Sequence, residues 1–176
     1  MGDDELKAGI EGLIKAANLN LCLECGRCSA ICPMLDFYGE FVFNRSPRAV
    51  VHRLLFDPDD IHDESLWYCL NCQKCTAFCP NGIDFQGFMT GLRELLLSHG
   101  HKKHAHFCRT CGQYMMPKKE FEYLLKKRDG EKLGQLLSMC HRCKQNDYAE
   151  VLYRTANWPK RGIRGRPGAE KTAAVS

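Results

Sequence analysis

The chain has 176 residues, 44% hydrophobic and 26% charged, the composition of one globular domain with a small appendage; wholesale disorder and a large multidomain enzyme are excluded. Charge is divided along it: residues 1–98 hold 8 Lys+Arg against 14 Asp+Glu and residues 99–176 hold 17 against 7, so halves of −6 and +10 lie within the formal +4. Twelve cysteines, about 7% of the residues, are far more than a protein of this size ordinarily carries.

Met1-Gly-Asp-Asp-Glu5 is acidic and no signal-peptide apolar run follows it, while Leu6 does not fit a myristoylation signal. Residues 3–17 are predicted to form an amphipathic helix, with Asp3 or Asp4 as cap and Leu6, Ile10, Leu13, Ile14 and Ala17 at helical spacing. Ser46-Pro47 starts a second helix through Ala49, Val50, Val51, Leu54 and Leu55, which ends before the loop Asp57-Pro58-Asp59-Asp60. Asp84 caps a third, from Phe85 to about His99, with Phe88, Met89, Leu92, Leu95 and Leu96 on one face, and Gly100 stops it. Leu95-Leu96-Leu97 is the longest aliphatic run, far short of the roughly 18 residues of a spanning helix. With no alternating apolar pattern, the first hundred residues read as helix and loop. His99 to His106 holds four of the seven histidines and reads as a linker; residues 118–138 read as helical, with a break at Asp129-Gly130. From Trp158 the tail is rich in Pro, Gly and Arg, a composition that stays disordered until bound. The expected organisation is residues 1–98, 99–157 and a basic tail 158–176, in a soluble, cytoplasmic protein whose clustered thiols hold metal rather than disulfides.

One repeat stands out. Cys22-Leu-Glu-Cys25-Gly-Arg-Cys28-Ser-Ala-Ile-Cys32-Pro33 and Cys69-Leu-Asn-Cys72-Gln-Lys-Cys75-Thr-Ala-Phe-Cys79-Pro80 share their cysteine and proline spacing. Three cysteines two residues apart, a fourth after three more and then proline is the pattern by which a chain wraps a 4Fe-4S cubane. In two-cluster proteins the fourth cysteine ligates the other cluster, so the expected ligand sets are Cys22, Cys25, Cys28 with Cys79, and Cys69, Cys72, Cys75 with Cys32. Structural thiols or two zinc sites are the competing reading. There is no Gly-rich dinucleotide fingerprint and no nucleophile beside an obvious base, so no catalytic residue is expected.

From the first helix through Cys22–Pro33, Ser46-Pro47-Arg48, Trp67-Tyr68-Cys69 to Cys79-Pro80, Asp84 and Leu92-Arg93, with 36 residues between Cys32 and Cys69, residues 5–98 resemble the C-subunit family of heterodisulfide reductase. The same module is similar to the C-terminal part of succinate dehydrogenase iron-sulfur subunits. The resemblance implies a mainly α, alpha-helical ferredoxin domain with two 4Fe-4S clusters, relaying electrons between a flavin-containing subunit and a catalytic subunit, in a complex of an anaerobe.

Cys108-Arg-Thr-Cys111 and Cys140-His-Arg-Cys143 are two further knuckles, 28 residues apart, whose four thiolates can complete a tetrahedron. Zinc is the expected ion of this small four-cysteine module; a rubredoxin-type iron, a third cluster or a disulfide are alternatives, and His106 or His141 could replace a cysteine. The module goes beyond the heterodisulfide reductase pattern and, with its basic tail, suits docking in a larger assembly. Met115-Met116 and the aromatics Trp67, Tyr68, Phe78 and Phe85 read as core packing, and Lys102-Lys103 and Arg161 to Arg166 as surface charge. Three functions follow: a relay subunit of a heterodisulfide-reductase-like oxidoreductase, an iron-sulfur subunit of a dehydrogenase feeding membrane quinone, and a zinc-finger nucleic-acid or scaffold protein. The last leaves eight cysteines without a role, so no nucleic acid, no membrane span and no direct small-molecule substrate are expected.

Overall fold

The computed structural model describes residues 3–57, 61, 64–127 and 130–155. In chain order these form α1 (Asp3–Ala16), α2 (Arg27–Ala30), α3 (Met34–Tyr38), α4 (Pro47–Phe56), α5 (Lys74–Ala77), α6 (Phe85–Ser98), an antiparallel pair β1 (Ala105–Phe107) and β2 (Tyr114–Pro117), α7 (Lys118–Lys127), α8 (Gly130–Leu137) and α9 (His141–Thr155). Turns of 3-10 helix lie at Leu19–Leu21, Phe43–Arg45 and Glu64–Trp67. The architecture is mainly helical, as expected. The chain divides into two compact units, residues 1–140 and 141–176. Among the described residues no helix is long and apolar enough to cross a membrane.

In the first unit, α1 buries Leu6, Ile10 and Ile14, one residue per turn, against α6, which buries Phe85, Phe88, Met89, Leu92 and Leu96. Two glycines let these helices approach. A Cβ on Gly9 would lie 2.8 Å from Leu95 Cδ2, and one on Gly91 would lie 2.6 Å from Leu13 Cδ2, so each helix offers a notch to a leucine of the other. Helix α4 adds Val50, Val51 and Leu54 to the same core. Its start follows from Ser46, whose Oγ accepts from the Ala49 N–H at 3.4 Å, with Pro47 in the first helical position. At α6 the cap is Asp84, whose carboxylate accepts from the Gly87 N–H at 2.9 Å. Gly100, left-handed at φ +89°, follows the helix end.

Two elements depart from the sequence reading. The histidine-rich segment is not all linker: Ala105 and His106 enter β1, which pairs with β2 with a register irregularity between His106 and Phe107. Ala105 reaches the core, and Tyr114 meets Trp67 edge-on at 6.3 Å, so burial pulls into a strand residues whose local pattern shows none. Residues 118–138 form two helices, α7 and α8, in keeping with the expected break; Gly130 begins α8, and Asp129 lies outside the described residues. Helix α7 packs Tyr123 on Phe37, with ring centroids 3.9 Å apart, and pairs Lys119 with Glu64 at 3.1 Å. The second unit contributes α9, a helix the sequence does not advertise because its stripe is mostly polar. The Asp3 side chain, part of the 57–60 loop and the 158–176 tail with Arg161 to Arg166 lie outside the described residues.

Candidate metal centres

Sequence duplication becomes duplicated backbone geometry. In the first repeat Glu24 and Gly26 have φ of +51° and +76°; in the second, the equivalent Asn71 and Gln73 have +54° and +65°. Each left-handed pair turns the chain back around its Cys-x-x-Cys, and a single helical turn follows, α2 or α5, carrying the third cysteine. The residue after that cysteine docks the loop on a longer helix. Ser29 Oγ donates to Ser46 Oγ, the cap of α4, at 3.1 Å, and Thr76 Oγ1 accepts from the Gln86 N–H at the start of α6 at 3.0 Å. Both cysteine loops are thereby fixed against helix N-termini, where partial positive charge favours anions.

Two cavities open between these loops, with roughly 500 and 520 Å³ of atom-free space, part of it open to solvent. Cys22, Cys25, Cys28 and Cys79 line the first; Cys69, Cys72, Cys75 and Cys32 line the second. Each cavity thus meets three cysteines of one repeat and the fourth of the other. Cys75, Pro47 and Phe85 line both, forming a wall between them. Cys25 and Cys72 are the exposed cysteine of their respective sets, and Cys75 is buried.

The donor chemistry fits iron-sulfur ligation. Burial pushes the Cys28, Cys32 and Cys69 thiols up from their ordinary value, and Cys75 up to about 12. Neighbouring thiolates raise them further, so these crowded sulfurs repel one another as anions unless a cationic centre lies among them. The Asn71 N–H donates to Cys69 Sγ at 3.4 Å, and the Cys69 carbonyl accepts from the Arg93 guanidinium at 2.6 Å.

Arg93 is a buried charged residue beside the second loop that the cysteine motifs do not flag. It is 5% exposed, its second contact is the Leu66 carbonyl at 3.2 Å, and its guanidinium lies 5.8 Å from the Trp67 ring centroid. An arginine inside the apolar stripe Met89, Leu92, Leu96 was the available signal, because a charge on a buried face needs a partner.

At the other knuckles, Cys108 ends the β1 edge of the hairpin and Cys111 lies in its turn, where Gly112 has φ +69°. Within the first unit, Cys108, Cys111 and Cys140 are brought together at the hairpin, and Cys143 lies in the second unit. A single zinc with Zn–S bonds of about 2.3 Å needs sulfurs roughly 3.8 Å apart, a spacing the first-unit sulfurs can reach. Cys111 and Cys140 sulfurs are 3.6 Å apart, and all twelve cysteines are free thiols. The Cys140 N–H donates to Cys108 Sγ at 3.2 Å; this and the N–H groups of Cys111 and Thr110 hold the Cys108 thiol well below the usual thiol range, favouring the thiolate a metal binds. His106 is engaged elsewhere: it stacks on Phe121 at 3.8 Å and its Nε2 meets the Leu137 carbonyl at 3.0 Å. Trp67, Tyr68 and Phe85 are buried as core residues, but Phe78 is 58% exposed, because it sits on the outer side of the turn before Cys79.

Residues 18–83 match the family model of the 4Fe-4S dicluster domain, a span that includes all eight cysteines of the repeats. No curated protein matches the chain. Loops that gather sulfurs around two cavities, together with this match, support an iron-sulfur protein of ferredoxin-like type with an electron-transfer role.

Proposed function

We propose that the chain is a relay subunit of a heterodisulfide-reductase-like oxidoreductase, located in the cytoplasm, carrying single electrons between a flavin-containing subunit and a catalytic subunit. Its ligands are Cys22, Cys25, Cys28 and Cys79 for one 4Fe-4S cluster and Cys69, Cys72, Cys75 and Cys32 for a second, with zinc at Cys108, Cys111, Cys140 and Cys143. The observation that carries the reading is the exchange of fourth cysteines between the two cavities. It brings both sites to one shared wall, Cys75, Pro47 and Phe85, and so keeps them within the short range over which electrons hop. When bound, each cubane supplies reversible one-electron chemistry. The protein's own part is to hold the thiolates, to screen them with backbone N–H groups and to keep Cys75 away from water, while exposed Cys25 and Cys72 give each site one edge open to a partner.

Anaerobically isolated protein should be brown and contain about eight irons, eight sulfides and one zinc per chain. Cys32→Ser should damage the site built on Cys69, Cys72 and Cys75, and Cys79→Ser the one built on Cys22, Cys25 and Cys28. Loss of the Cys22-built signal in Cys32→Ser would refute the crossed ligation, and zinc without iron or sulfide would refute the relay. Co-isolation of a flavoprotein with the tagged chain checks the assembly.

A further inference from the structure

The two cavities differ in the charge around them. Beside the first, Arg48 is 34% exposed and paired at 3.1 Å with Glu24, itself 49% exposed, so its charge is neutralised and solvent-screened. Arg45, beside the second, is likewise paired at 2.7 Å with Glu40 and lies 3.8 Å over the Tyr68 ring. Arg93 is different. Its guanidinium is buried and donates to two neutral backbone carbonyls, one belonging to the ligand candidate Cys69. Its Nε is buried without a partner. Glu120, at the start of α7, is a compensating acid: it lines one cavity with Arg93, Asn71, Tyr114 and Glu94, and the Arg93 charge acts on its carboxyl. Glu120 is only half-buried, and burial raises its carboxyl pKa while Arg93 lowers it.

We infer that Arg93 is a positioning and tuning residue for the iron-sulfur site built on Cys69, Cys72, Cys75 and Cys32: through the Cys69 carbonyl it raises that site's reduction potential, and Glu120 opposes it. Reduction adds one negative charge to a site, so a fixed cation in low-dielectric surroundings favours the reduced form and a fixed anion disfavours it. The bond to the Cys69 carbonyl also withdraws electron density from the peptide carrying that ligand, adding to the Coulomb effect in the same direction.

This inference rests on the two-cluster reading above, and its test separates the two. The full-length protein, reconstituted anaerobically and assayed for iron and sulfide, is titrated potentiometrically at mildly alkaline pH while visible absorbance and paramagnetic resonance are followed. Arg93→Met should move one of two one-electron waves downward by at least tenfold in its reduction equilibrium, equal to about 59 mV for one electron, and leave the other in place. Glu120→Gln should move the same wave upward, and Arg93→Lys, which keeps the charge but not the fork, should hold it between wild type and Arg93→Met. Addition of Cys25→Ala, which weakens the other site, assigns the moving wave. Waves that stay in place, that shift together, or that move the same way in Arg93→Met and Glu120→Gln overturn the inference; if Arg93→Met does not retain iron, Arg93→Lys and Glu120→Gln decide by the same signs. Wild-type protein that takes up no iron or sulfide instead defeats the two-cluster reading itself.

Discussion

At Gly26 and Gln73 the backbone makes the same left-handed turn, φ +76° and +65°, with different side chains. A Cβ at Gly26 would meet nothing nearer than Arg48 Nη1 at 3.8 Å, so the only penalty for a side chain there is conformational. Gly26→Ala should cost about 1–2 kcal/mol and lower the melting temperature of the loaded protein by roughly 2–4 °C per kcal/mol, measured by anaerobic calorimetry. Gln73→Gly, which lifts that penalty in the second repeat, should shift the midpoint in the opposite direction. An unchanged midpoint in both variants would mean that the loop geometry is set by ligation alone. The cysteine spacing was legible because ligand chemistry constrains it directly. The role of Arg93 was not, because it depends on the Leu66 and Cys69 carbonyls, 27 and 24 positions away, and no local pattern encodes that meeting.

Helices α1 and α6 owe their close contact to reciprocal notches, Gly9 under Leu95 and Gly91 under Leu13. Gly91→Val forces extra carbon into this packed contact and should destabilise the fold by about 1–3 kcal/mol, read from denaturant midpoints. Adding Leu13→Ala should recover part of the loss, because neighbouring substitutions couple; purely additive losses would show that the two residues do not meet. The helices were readable where the chain announces its own punctuation: Ser46-Pro47 and Asp84 bond the first turns of α4 and α6, and Gly100 follows the end of α6. The β1–β2 hairpin was not. Its strands have three and four residues, its register is irregular, and its residues alternate in no simple way between core and water. It forms because Ala105 and Tyr114 find buried neighbours in Trp67 and the core, contacts visible only after the chain has folded.

Across the molecule, the duplicated cysteine loops are held by helix N-termini within a conventional apolar core, whereas the hairpin with Cys108 and Cys111 has little buried apolar surface of its own; Ala105 and Pro117 are its buried strand residues. Metal should therefore matter most to local order at the hairpin. Stripping the proposed zinc with a chelator should speed amide hydrogen exchange over residues 105–117 while leaving the visible absorbance of the iron sites intact. Simultaneous bleaching would show that the chelator reaches all three centres, and unchanged exchange would show that the hairpin stands without its ion.

The partition formed by Cys75, Pro47 and Phe85 joins the fates of the two compartments. Since Cys79 belongs to the chamber of the earlier loop and Cys32 to that of the later one, the repeats are buckled through each other like two links of a chain. A strain that shifts either repeat therefore displaces a sulfur at the edge of both chambers.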